Sequence, residues 1–283
     1  MIIEIGYERL NEILDFSWET YCQKENSSYH RYESKEKLKE AFERTIEHLE
    51  DKLLACFENQ KLVGVLKLMV ERNNKYLQSS GIYVQDNHKM IYSLFINYLT
   101  EHYSGYEIYF GYPNENKMAI HIMEELKADC VDSCMNMQVT KREFVFYPTT
   151  YNINEITIDS FEQYASFHDK FNSDIYWNSS RMKENFKDWK IYVIKQADKI
   201  IAGIFIGMWN KFDAEIFGIS IEDSDREKGY ILSLLSYSVF DVLKCGKNSV
   251  TYFIDENSIE DYEAASLLGF KLIDHYKCYK MKL

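Results

Sequence analysis

One order of strands and helices runs through this chain of 283 residues twice, and that repeat constrains the fold more than any single motif. In the first half, Ile2 to Ile5 reads as a strand. Leu10, Ile13, Leu14, Trp18 and Tyr21 then recur at helical spacing, and a second helix starts at Ser34 with Leu38, Phe42, Ile46 and Leu49 on one face. "KLLACFENQKLVGVLKLMVER" predicts two strands turning at Asn59-Gln60, followed by a strand near 80–84, a helix over 89–102, a strand, a helix and a returning strand. The second half repeats the series: a strand at 156–158, a helix capped by Asp159 or Ser160, a second helix over 179–189, a hairpin turning at 197–199, a strand over 214–221, a helix over 229–244, a strand, a helix and a closing extended segment. Hairpins dictate antiparallel neighbours, whereas a strand–helix–strand crossover dictates parallel ones. Each half therefore predicts a mixed, mostly antiparallel sheet flanked by helices, an α/β (α+β) class.

Glu115-Asn116 and Glu256-Asn257 each stand after a strand and before a helix, 141 residues apart. That spacing implies two related domains, 1–145 and 151–283, joined by a linker at 146–150. With 46% hydrophobic residues, 16% aromatic residues and only 2 prolines, the chain has the material for two packed cores. A formal net charge of −12 argues against nucleic acid as a partner, because phosphate backbones require a basic face. No run reaches the about 18 apolar residues of a membrane span, and the start lacks a basic, then apolar, leader, so the expected compartment is the cytoplasm with no membrane partner. Cys22, Cys56, Cys130, Cys134, Cys245 and Cys278 form no CxxC pair, and the histidines form no HxH, HxxxH or HExxH pattern. Reduced thiols and no metal site are expected. A GxSxG elbow and a Walker loop are both missing.

The stretch "AEIFGISIEDSDREKGYILSLL" carries the chemistry. A strand runs into a polar loop and then a helix starting near Gly229. A helix start leaves backbone N–H groups unpaired with the positive end of the dipole behind them, and a pyrophosphate can accept several of those bonds at once. Gly229 permits close approach or positive φ, and Arg226 and Lys228 add cations.

This segment resembles the Gcn5-related N-acetyltransferase (GNAT) superfamily, whose signature [Q/R]xxGx[G/A] follows the fourth strand of the domain. Arg226 and Gly229 match its first two fixed positions, and Ile231 departs from the third. The order after it also fits, with "LLGF" before a final strand, so the resemblance covers 156–283, and the N-terminal half resembles a degenerate copy. It implies acetyl-CoA as co-substrate, held by Arg226, Glu227, Lys228, Gly229, Tyr230 and Ile231. A backbone N–H among Ile219, Ser220 and Ile221 would bind the oxyanion, and Asn257 would touch the pantetheine or adenosine, or else cap a helix. Glu215 is implied as the general base that takes a proton from an ammonium substrate, against the alternative of a carboxylate facing solvent. The tyrosine that protonates the leaving thiolate is replaced by Ala265, and Tyr262, three residues earlier, is the substitute. Tyr176-Trp177 and Met208-Trp209 line an acceptor pocket or simply pack. In the first half, a spacing of 141 places Gln85 and His88 opposite Arg226 and Gly229.

The function this implies is acetyl transfer from acetyl-CoA to a small-molecule or peptide primary amine, directly in a ternary complex. The rival is a GNAT-like module that binds CoA or another ligand without catalysis. An aminoacyl-transferase using aminoacyl-tRNA fits the acidic balance poorly.

Overall fold

The computed structural model describes residues 1–173, 175–222 and 229–283. The chain forms two compact units that are discontinuous in sequence: Met1–Ser133 with His275–Leu283, and Cys134–Asp274.

The first unit holds β1 (Ile2–Glu4), α1 (Leu10–Tyr21), α2 (Lys35–Glu47), β2 (Lys52–Glu58), β3 (Lys61–Glu71), β4 (Tyr76–Val84), α3 (His88–His102), β5 (Glu107–Pro113) and α4 (Lys117–Glu125). Its strands lie in the order β1–β2–β3–β4–β5, closed by residues of the chain's last strand, β12 (Lys271–Lys282). The only parallel pair in it is β4 with β5. Period-two alternation sorts the side chains of β2: Leu54 and Cys56 join Phe95 and Leu99 of α3, while Leu53, Ala55 and Phe57 join Leu10 of α1 and Phe42 of α2. The β2–β3 hairpin turns at Asn59 and Gln60, both at positive φ, as a two-residue loop between right-twisted strands requires. Leu49 lies past the end of α2 and is exposed, because the helix stops at His48 rather than running on.

The second unit holds β6 (Asp129–Thr140, from Cys134 on), β7 (Ile153–Glu155), α5 (Phe161–Asn172), α6 (Ser179–Glu184), β8 (Trp189–Gln196), β9 (Lys199–Gly207), β10 (Asp213–Ile221), α7 (Tyr230–Lys244), β11 (Ser249–Asp255) and α8 (Ile259–Leu267). Its order is β6–β11–β10–β9–β8–β7, with β10 and β11 parallel. The strand expected at 156–158 sits three residues earlier, since Thr157 and Ser160 form a capping box that opens a short 3₁₀ turn there. Ile204 and Ile206 of β9 pack with Leu234, Leu235 and Val239 of α7 on one face, and Phe205 packs with Phe161, Tyr164 and Met182 on the other.

The compact units do not follow the linear halves 1–145 and 151–283 expected from the sequence. Residues 134–140 of β6 pair with β11, and residues 276–282 of β12 pair with β5, so each half gives its last strand to the other. Nor does the repeat have a constant spacing of 141. β10 starts 137 residues after β4 (213 against 76), whereas α7 starts 142 after α3 (230 against 88). The difference lies in the strand-to-helix connection, which is 85–87 in the first unit and 222–229 in the second. The residue opposite Gly229 is therefore Asn87, not His88, and Ser258, not Asn257, stands opposite the helix-capping Asn116.

Candidate active site

A wedge in the second sheet defines the site. β10 and β11 are registered over four residue pairs only, Asp213–Ser249 to Ile216–Tyr252, and no pairing continues beyond. Just past that point β10 carries a bulge: Ile216 faces Ile206 and Gly218 faces Phe205, leaving Phe217 as the extra residue. A bulge bends its strand and increases the twist, which turns the far half of β10 away from β11. The Glu222 N–H donates to the Ile201 carbonyl at 2.9 Å, which fixes the alternation of the ladder. Gly218 and Ser220 direct their backbone groups at β9, and Ile219 and Ile221 direct theirs into the wedge. Ser220 is thus removed from the three candidate oxyanion donors, and its hydroxyl accepts from Asn172 Nδ2 at 3.0 Å.

The helix start lies at the end of the same strand. Gly229 is the N-cap of α7 in the left-handed region (φ 69°, ψ 22°), with no side-chain cap and no acidic residue in the first turn. The first helical return bond is Ser233 N–H to the Gly229 carbonyl, so among the described residues the N–H groups of Tyr230, Ile231 and Leu232 have no partner and can meet a ligand. A Cβ added at Gly229 would meet no atom of the described residues within 4 Å. The Tyr230 side chain is buried against the Tyr151 ring, and only its backbone serves the site. A cavity of about 230 Å³ opens between Gly229, Ile231 and Leu232 and the α8 residues Glu260, Glu263 and Leu267. The donors at the helix start fit a pyrophosphate, and the two carboxylates across the cavity oppose one. Ile231, at the departing signature position, forms part of its wall. Arg226, Glu227 and Lys228 lie outside the described residues.

Glu215 sits two residues before the bulge, on the face away from α7. Its cross-strand neighbour on β9 is Gly207, whose neighbour on β8 is Trp189, so the three form one row on one face. The Trp209 ring lies over that glycine, with Cη2 2.2 Å from where a Cβ would stand, a contact only glycine allows. Trp177, Trp189 and Phe217 surround the Trp209 ring with centroids at 5.8, 5.2 and 5.2 Å. Burial among these groups pushes the Glu215 carboxyl up to about 7, with no neighbouring charge contributing. Among the described residues, no hydrogen bond or ion pair holds that carboxyl. The Trp189 Nε1–H is likewise buried without an acceptor, an arrangement that costs about 1–3 kcal/mol if nothing ever binds it.

The remaining candidates stand further out. Ala265 is wholly buried in the α7-side core, while Tyr262, one turn before it on α8, is 39% exposed. The buried hydroxyl of Tyr252 on β11 donates to Asp261 of α8. Asn257 is exposed and does not cap α8; its N–H donates to Asp255 Oδ1 at 2.7 Å, and Ser258 is the cap residue.

The corresponding wedge of the first unit is filled by its own chain. β4 and β5 separate after the Ser79–Phe110 pair, and residues 26–29 enter the gap. Tyr29 N–H donates to the Gly111 carbonyl of β5 at 3.0 Å, Asn116 Nδ2 donates to the Ser27 carbonyl at 2.9 Å, and Ser28 lies against Gly81 of β4. At the start of α3, His88 Nε2 bonds Asn26 Oδ1 at 3.0 Å. Gln78 stands opposite Glu215. The first unit thus lacks the long loop, the open wedge and the carboxyl.

No protein-family model matches the sequence, and no curated protein matches it. Solved structures do. A GCN5-related N-acetyltransferase from Sphaerobacter thermophilus superposes with a TM-score of 0.72 at 13% identity, covering 100% of this chain and 95% of that one. A tandem GNAT protein from the clavulanic acid biosynthesis pathway gives 0.60 at 10% identity, covering 100% and 98%. A GCN5-related glucosamine N-acetyltransferase region in a fungal multi-domain β-N-acetylglucosaminidase gives 0.67 at 10% identity, covering 99% of this chain and 38% of that one. With TM-scores of 0.60 to 0.72 and overlap across the whole of this chain, the fold is that of the GCN5-related N-acetyltransferases.

Proposed function

We propose that the second unit transfers an acetyl group from acetyl-CoA to a small-molecule or peptide primary amine, directly, with both substrates bound. The observation that carries this reading is Glu215: a carboxyl without a partner among the described residues, raised to about 7 by burial, at the base of an open strand wedge. A base near neutrality accepts a proton readily and is still ionised in good part at pH 7 and above.

Acetyl-CoA supplies the acetyl thioester. The N–H groups of Tyr230, Ile231 and Leu232 hold its pyrophosphate, and the Ile219 or Ile221 N–H faces the thioester oxygen as negative charge develops on it. Arg226 and Lys228 lend positive charge to the same loop. Glu215 removes a proton from the incoming ammonium group, and the freed nitrogen attacks the carbonyl carbon as the carbon–sulfur bond breaks. Tyr262 is the candidate donor of a proton to the departing sulfur, since Ala265 has none to give. The transfer is tested by measuring free CoA thiol released with a panel of primary amines. Release that depends on the amine supports it, and tight acetyl-CoA binding with no release from any amine counts against it.

A second reading is favoured by two specific observations. Ala265 at the acid position is sealed in the core, and Ile231 with Glu260 and Glu263 walls the cavity beside the helix start. Both suit a unit that binds CoA or another ligand and does no chemistry.

A further inference from the structure

The row Trp189–Gly207–Glu215 has properties that packing alone does not require. It ends in a hydrogen-bond donor on one side and a carboxyl on the other, both buried or half-buried and both unpartnered among the described residues. Between them the floor is a glycine, which leaves a slot the thickness of one aromatic ring. That slot holds a flat ring, the indole of Trp209, which comes from residues 208–212 between β9 and β10 and is 47% exposed. An indole anchored in the core would not be half in solvent. A ring lying there satisfies neither end of the row fully, because an indole face is only a weak π acceptor for an N–H and carries no cation for a carboxylate.

We propose that the slot over Gly207 is the acceptor site, that it takes a primary amine carried on an oxygen-bearing aromatic ring, and that the Trp209 indole holds the ring's place until such an amine enters. The inference rests on the acetyl-transfer reading and deepens it. The ammonium group meets Glu215, whose carboxylate pairs with it and then takes its proton. The ring stacks on Trp177 and meets Phe217 edge-on, as the Trp209 indole does now. The ring oxygen accepts from Trp189 Nε1–H and ends its isolation. An aliphatic amine makes only the first of these contacts, so the row discriminates by what it leaves unpaired.

The test uses the full chain with tyramine, phenethylamine and ethanolamine as probes. Binding is followed by tryptophan fluorescence without acetyl-CoA, and turnover by free thiol release with it. Tyramine should bind at least tenfold tighter than ethanolamine, with phenethylamine between. Trp209→Ala, which empties the slot, should tighten tyramine severalfold and by more than it changes ethanolamine, so the tyramine-to-ethanolamine ratio should rise. Trp189→Phe, which keeps a ring but removes the donor, should erase the preference for tyramine over phenethylamine. Equal affinity for all three amines overturns the proposal, as does weaker tyramine binding in Trp209→Ala. Turnover with ethanolamine as fast as with tyramine refutes the slot while leaving acetyl transfer standing. Tyramine selectivity in the fluorescence assay with no acetyl-CoA binding supports the slot and removes the transfer reading.

Discussion

Glu215→Gln should make the protein more stable and less active at the same pH, and both effects can be sized from the structure. In the unfolded chain this carboxyl ionises near 4.5; in the folded protein burial holds the proton until about 7. Between those values the folded state binds more protons than the unfolded one, so stability falls as pH rises. Below pH 4.5 the carboxyl costs nothing, and above about 7 the cost is constant. At about 1.4 kcal/mol per pH unit the penalty has a ceiling of about 3 kcal/mol, and solvent reaching a half-buried side chain brings it to about 1–2 kcal/mol. Glutamine has nearly the same shape and no charge, so it removes that cost. Denaturant unfolding of both proteins at pH 5, 6, 7 and 8 should show the variant's midpoint advantage growing to pH 7 and then levelling. Over the same series, wild-type kcat/KM should rise with a midpoint near 7, and the variant should lose that rise together with 100-fold or more in rate. A variant equally active at pH 8, or one whose stability advantage does not grow with pH, would refute the assignment of Glu215 as a buried, unpaired base.

Other perturbations address the rest of the site. Gly229→Ala places a Cβ at φ 69° with no atom of the described residues within 4 Å, so it should cost only about 1–2 kcal/mol in stability while weakening acetyl-CoA at least tenfold by calorimetry. Unchanged affinity would mean that the start of α7 is not the phosphate site. Tyr262→Phe removes an exposed hydroxyl, so thermal stability should hold while kcat drops tenfold. Full turnover at every pH would show that the departing sulfur takes its proton elsewhere.

Much of the fold was legible because local physics sets it. Alternation in "KLLACFENQKLVGVLKLMVER" and the Asn59-Gln60 turn dictate a hairpin whatever surrounds them, and the Ser34 cap fixes the start of α2. Long-range pairing is a different matter. Nothing in the composition of β6 or β12 says which half each strand joins, since both halves offer a similar open edge; hence the exchange of last strands was not foreseen. The spacing of 141 came from Glu-Asn dipeptides whose second members differ in role: Asn116 caps α4, while Asn257 lies before the cap of α8. In the site, Glu215 and Gly229 could be picked out by residue type and position. Their setting could not, because the desolvation of Glu215 depends on a ring over Gly207 from a different segment, and Gly207 has no signal beyond standing before Met208-Trp209. The plugging of the first wedge by residues 26–29 is likewise a tertiary fact, written in carbonyls and amides rather than side-chain types.

The central claim is that one wedge is open to acetyl-CoA and the other is closed by the chain itself. Isothermal titration of the intact protein with acetyl-CoA measures this directly. One site per chain is expected, weakened at least tenfold by Gly229→Ala. Two equivalent sites per chain, or none, would contradict it.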